Sequence, residues 1–155
     1  MAVILETQQL TKRFGELAAV NRLSFEVEEG QIFGIAGPNG AGKTTLFNVI
    51  SGVYSSSGKI IFQGHPVNGL RPHQICRRGL TRTFQTPAVF STLSVYQNSR
   101  VGAHFGNSKA HDHGTKAEEE VIRDTIKLVG LTGKEQLAAE HLSLFDKKMT
   151  MIGAA

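Results

Sequence analysis

Nine residues, Gly37-Pro38-Asn39-Gly40-Ala41-Gly42-Lys43-Thr44-Thr45, govern how this chain has to fold. They meet the pattern G-x-x-x-x-G-K-[ST] at every specified position. An apolar run (Ile32-Phe33-Gly34-Ile35-Ala36) precedes them and a helix-like run from Thr45 to Gly52 follows. A nucleoside triphosphate carries several negative charges and many acceptor oxygens, so it requires donors packed closely around it. Side chains larger than hydrogen would block that approach, and Gly37, Gly40 and Gly42 have none. The amides from Gly40 to Thr45 can then form an anion-binding nest at a helix N-terminus, where the dipole also favours negative charge. Lys43 is placed to reach the β- and γ-phosphates, and the Thr44 hydroxyl to ligate Mg²⁺. The plain alternative is a Gly-rich turn from strand to helix, and the flanking pattern argues against it.

A length of 155 residues is enough for one domain. With 17 Lys and Arg against 13 Asp and Glu the net charge is +4, a mildly basic solvated surface that demands neither nucleic acid nor membrane as a partner. The single Cys76 excludes a disulfide framework and fits a reducing compartment. The apolar start Ala2-Val3-Ile4-Leu5 is too short for a signal peptide, and no apolar run approaches the roughly 20 residues of a membrane span. A soluble, cytoplasmic protein is expected, held at a membrane only by a partner.

Residues 2–36 predict β-structure, antiparallel in the first half, with a strand buried on both faces leading into the loop. After the helix come a turn at Ser55-Ser56-Ser57-Gly58, a strand Lys59-Ile60-Ile61-Phe62 and a turn at Gln63-Gly64-His65-Pro66. Pro72 suits the first turn of a short helix stopping at Gly79, and the alternation from Leu80 to Gln85 predicts another strand. From Ser94 the period is helical, through Val95, Val101 and His104. Thr115-x-x-Glu118 is a capping box, followed by a face of Val121, Ile122, Ile126 and Val129 that ends at Gly130. Ser143-x-x-Asp146 caps a last helix with a stripe of Leu144, Phe145, Met149 and Ile152. His111-x-His113 has ligand-like spacing without a third ligand and suits a solvated loop. Arg71, Arg77, Arg78 and Arg82 cluster without interleaved aromatics, which argues against nucleic acid and for a solvated helix face, with an anionic headgroup surface as a lesser reading.

Four stretches together resemble the nucleotide-binding subunits of ABC transporters, most closely the ATPases of branched-chain amino-acid uptake. They are Leu10 to Gly15, Gly37 to Gly52, Pro72 through Arg82-Thr83-Phe84-Gln85, and Gln97 to His104. The resemblance implies an α/β P-loop NTPase core with an N-terminal antiparallel β-subdomain and a helical insertion. On that pattern residues 1–36 are antiparallel β plus the strand leading into the loop, 37–85 the core, and 86–155 the helical subdomain up to the signature helix. It implies ATP and Mg²⁺ at residues 37–45, with Pro38, Asn39, Ala41 and Thr45 completing the loop. Phe14 matches the aromatic that stacks on adenine, although by itself it also reads as a turn-flanking core residue. Gln85 matches the glutamine that touches Mg²⁺ and the attacking water, a task an amide suits because it both donates and accepts. Leu142-Ser143-Leu144-Phe145-Asp146 stands where the family has Leu-Ser-Gly-Gly-Gln. Ser143 and the helix dipole are retained to cap the γ-phosphate held by a second ATPase subunit, while Leu144 and Phe145 replace the glycines and Asp146 adds a negative charge. The partners implied are that second subunit, the same or different, and membrane permease subunits at the inner face of the cell membrane.

The family also needs an acidic pair at the end of a buried strand and a later His, and none follows the signature before Ala155. The sequence is therefore expected to represent the first part of such an ATPase, with an exposed apolar flank on its core, poor ATP binding and negligible turnover alone. The leading function is the energy-coupling subunit of an amino-acid importer. The alternatives are a non-catalytic remnant that only associates with partners, or an ABC ATPase outside transport.

Overall fold

A computed structural model of the chain describes residues 2–106 and 116–155. They form two compact units, Met1–Ile75 and Cys76–Ala155.

The first unit is built on a hairpin. Strands β1 (Val3–Phe14) and β2 (Leu17–Glu28) meet through Gly15-Glu16, where Gly15 takes φ 57°, a region glycine enters at little cost. β1 also pairs antiparallel with β3 (Ser57–Phe62), which pairs with the short β4 (His65–Pro66), so the sheet order is β2-β1-β3-β4. β4 occupies what the sequence predicts as a turn. Thr7, Leu10, Val20, Ile60 and Phe62 turn inward and are buried. Buried Thr7 is tolerated because its hydroxyl accepts the Phe25 amide at 3.1 Å. Helix α1 (Lys43–Ile50) buries Leu46, Val49 and Ile50, the i, i+3, i+4 set of one helical face. Helix α2 (Pro72–Cys76) starts at its proline, as the sequence predicts, and Gln74 Oε1 accepts the Arg71 amide at 2.9 Å.

Two expected strands do not form. Residues 32–36 and 80–85 carry no ladder, and among the described residues every strand pair is antiparallel. The physical reason is that a parallel strand exists only by bonding to a neighbour, and among the described residues no strand lies beside either segment. Ile32 is fully exposed, and Phe33 is covered only in part by stacking on Phe25 at 5.1 Å.

The second unit is helical: α3 (Val95–Gly106), α4 (Lys116–Leu128), a 3-10 turn Ala139–His141, and α5 (Leu144–Gly153). Its core is Val95, Ile122, Ile126, Leu131, Ala139 and Leu142. Ser94 and Gln97 close α3 reciprocally: the Ser94 amide donates to Gln97 Oε1 at 2.9 Å and the Gln97 amide to Ser94 Oγ at 3.1 Å. The apolar stripes predicted for α4 and α5 are each redrawn. On α4, Ile122 and Ile126 are buried and Val129 half-buried, but Val121 faces solvent. On α5, Leu144, Phe145 and Ile152 are exposed, and the buried residues are Thr150 and Met151. Thr150 can be buried because its hydroxyl donates to Asp146 O at 2.8 Å, and Gly153 packs closely on Thr125 and Val129. Thr115, His111 and His113 lie outside the described residues. Among the described residues no helix is long and apolar enough to cross a membrane.

Candidate functional site

Residues 37–45 wrap the start of α1. Gly42 precedes the helix at φ 85°, and a Cβ built there would lie 2.0 Å from the carbonyl oxygen of Ala19 on β2. Only glycine satisfies both conditions. Gly40 also has positive φ, at 84°, but open space around it, whereas a Cβ on Gly37 would sit 3.3 Å from that of Ala41. The three glycines therefore serve different needs: one backbone crossing, one turn and one side-chain neighbour.

The loop closes on itself through few bonds. The Ala41 amide donates to Pro38 O at 3.2 Å and the Leu46 amide to Gly42 O at 2.8 Å. Among the described residues, the amides of Gly40, Gly42, Lys43, Thr44 and Thr45 donate to no carbonyl. Such a run of open donors at a helix N-terminus is a concentrated partial positive charge. The Lys43 ammonium joins it, donating to Gly37 O at 2.6 Å and Pro38 O at 2.7 Å. The sequence around the loop holds a further signal: from Gly30 to His111 there is no Asp or Glu, so no neighbouring carboxylate in that stretch opposes an anion. The donor set thus fits a polyphosphate, and the Thr44 side chain is exposed at its edge.

Phe14, at the end of β1, is 45% exposed and meets the Tyr54 ring edge-on at 5.4 Å. Tyr54 carries no signal in the sequence beyond its place just after the phosphate-loop helix. A cavity of about 150 Å³ lined by Tyr54, Ser55, Asn68, Arg71 and their neighbours involves none of residues 37–45. It is smaller than the roughly 300 Å³ at which small-molecule sites begin, and Asn68 spends its amide on Ile60 N and Gly58 O.

Gln85 and Ser143 belong to the second unit. Gln85 is exposed at a bend after residues 80–84. Ser143 is the N-cap of α5, its Oγ accepting the Asp146 amide at 3.0 Å, and Leu144 and Phe145 project beside it, 64% and 66% exposed. The Asp146 carboxylate takes the Lys134 ammonium at 2.7 Å, so its charge is neutralised within the unit. Lys134 holds the Asp146 carboxyl below its usual range, with help from Ser143. A depressed folded pKa adds stability above the ordinary Asp value of about 4, and that stability disappears as pH falls through the lower folded value. The melting temperature of the native chain should therefore exceed that of Asp146→Asn near neutrality, and the two should converge on acidification below about pH 4. A gap that persists in acid would refute this.

Hairpin, phosphate loop and helical body together define a P-loop nucleotide-binding protein of the ATP-binding-cassette type. The chain belongs to the ABC transporter family, whose sequence model matches residues 20–155. It is 37% identical over 144 residues to the probable branched-chain amino acid transport ATP-binding protein LivG of Archaeoglobus fulgidus, covering 90% of this chain and 54% of that protein. It is 45% identical over 102 residues to the high-affinity branched-chain amino acid transport ATP-binding protein BraF of Pseudomonas aeruginosa, covering 65% and 40%. A solved nucleotide-free ATP-binding cassette from an ABC transporter superposes with TM-score 0.80 at 31% identity, over 99% of this chain and 64% of that one. The chain thus spans about half the length of the curated relatives it matches.

Proposed function

We propose that this chain supplies the ATP-binding part of an energy-coupling ATPase subunit, serving an importer of branched-chain or related amino acids. The observation that carries the nucleotide reading is the set of open amides at Gly40 and from Gly42 to Thr45, gathered with the Lys43 ammonium at the start of α1. The names of the relatives support the importer branch. Lys43 and these amides hold the β- and γ-phosphates, and on binding the ammonium exchanges two neutral carbonyls for charged oxygens. Phe14 offers its ring to the base, and the Thr44 hydroxyl, exposed at the edge of the loop, would ligate Mg²⁺. Bound Mg²⁺ supplies charge neutralisation at the β- and γ-oxygens. The Ser143 end of α5 faces the γ-phosphate on a second ATPase subunit, and permease subunits at the inner face of the membrane take up the motion. A second reading, a subunit whose α5 does not act on nucleotide, is favoured by the exposed Leu144 and Phe145 beside Ser143.

A titration of the 155-residue chain with ATP tests the reading. Lys43→Ala should weaken binding by at least about 10-fold, the value of one charge-assisted hydrogen bond. Equal affinities would overturn it.

A further inference from the structure

The ring of Phe14 is not simply exposed; it forms one wall of a corner. Tyr54 forms the other, with ring centroids 5.4 Å apart and planes at 83°. In that geometry the positive edge of one ring meets the negative face of its neighbour, which fixes the orientation of both. The Lys12 ammonium lies 5.0 Å from the Phe14 centroid and 5.4 Å from that of Tyr54. Lys12 and Phe14 are two residues apart on β1 and so share a strand face. Both rings keep outward surface, 45% for Phe14 and 37% for Tyr54, so the corner is not absorbed into the core.

The two walls arise from different elements. Phe14 rides on the hairpin, whereas Tyr54 stands on the turn that ends α1, its amide donating to Asn48 O at 3.2 Å and that of Val53 to the same oxygen at 2.8 Å. α1 is the helix whose first residue is Lys43. The edge contact therefore ties the orientation of the Phe14 ring to the far end of the helix that carries the phosphate loop.

We propose that Tyr54 is a positioning residue for the base of the bound nucleotide, setting the Phe14 ring at a fixed angle relative to the phosphate loop. The proposal rests on the nucleotide reading above. Tyr54 acts through Phe14, so its loss should affect ligands that have a base and spare those that do not.

The test compares ATP with inorganic tripolyphosphate, each titrated into the 155-residue chain and followed by NMR chemical shifts, and takes the ratio of the two affinities. Tyr54→Leu should lower the ATP-to-tripolyphosphate ratio about 5-fold, the scale of one aromatic pair, and Tyr54→Phe should leave it at the native value. If Phe14→Leu lowers the ratio and Tyr54→Leu does not, the platform stands and the role of Tyr54 is overturned. If Tyr54→Leu weakens both ligands equally, its role is structural and the proposal is overturned. If neither variant changes the ratio, the base role of Phe14 fails as well. Failure of the phosphate-loop reading is separately visible, because Lys43→Ala would then leave tripolyphosphate binding unchanged.

Discussion

Gly42→Ala should destabilise the first unit by about 3 kcal/mol and abolish nucleotide binding. The backbone there has φ 85°, and an added Cβ would stand 2.0 Å from the Ala19 carbonyl oxygen. Holding alanine in the left-handed region costs about 1 kcal/mol, and forcing a backbone carbonyl aside costs about 2 kcal/mol more. Gly40→Ala is the internal control. Its φ of 84° imposes the same conformational cost, yet nothing lies within 4 Å of its Cβ, so only about 1 kcal/mol should be lost. Urea unfolding of the two variants separates strain from clash. Equal midpoints would mean that Ala19 does not limit the loop. ATP titration of the same proteins reads the second effect, because relieving the clash moves the start of α1 and with it the open amides.

Asn98→Ala should cost the helical unit about 3 kcal/mol, an effect that nothing in the local sequence announces. Asn98 is 2% exposed. Its Oδ1 accepts the Phe90 amide at 2.8 Å, and its Nδ2 donates to the carbonyls of Phe90, Leu93 and Ser94 at 3.1, 3.2 and 2.9 Å. One side chain thus holds together the segment 90–94 that leads from the Gln85 loop into α3. Alanine leaves the Phe90 N–H without its acceptor in a part-buried place and removes the donor shared by three carbonyls, and each unmet group costs about 1–3 kcal/mol. The expected result is a lowered urea midpoint together with faster amide exchange at Phe90. Unchanged exchange at that amide would show that the segment is held by other means.

Asn98 falls within the stretch Gln97 to His104, which in the sequence only marked a family resemblance. The structure gives that stretch a physical content. Gln97 closes the cap with Ser94, Asn98 binds the preceding loop, and Gly102 allows α3 to approach α5 so closely that a Cβ would lie 2.2 Å from the Ala154 carbonyl oxygen. A cap is readable because its partners are three residues apart. The Asn98 bonds and the Gly102 crossing are not, because their meaning depends on segments that arrive from elsewhere.

The same distinction explains the strands. Alternation in residues 80–85 and apolarity in 32–36 are properties of the segment alone, whereas a strand is a relation between two segments. Antiparallel β1 and β2 form because a two-residue turn brings each partner to the other. No such local device exists for a parallel pair.

Short-range chemistry was therefore decided by the sequence itself: the phosphate loop with Lys43 at the start of α1, the Ser143 cap on Asp146, and the hairpin turn at Gly15. In each, the interacting groups are only a few residues apart, so spacing alone brings them together. Tertiary structure alone decided that Gly42 passes under Ala19, that Phe14 meets Tyr54, and that α5 buries Thr150 and Met151 while showing Leu144 and Phe145 to solvent. Burial and close approach depend on which distant backbone comes alongside, and helical periodicity states only which residues share a face, not which face is covered.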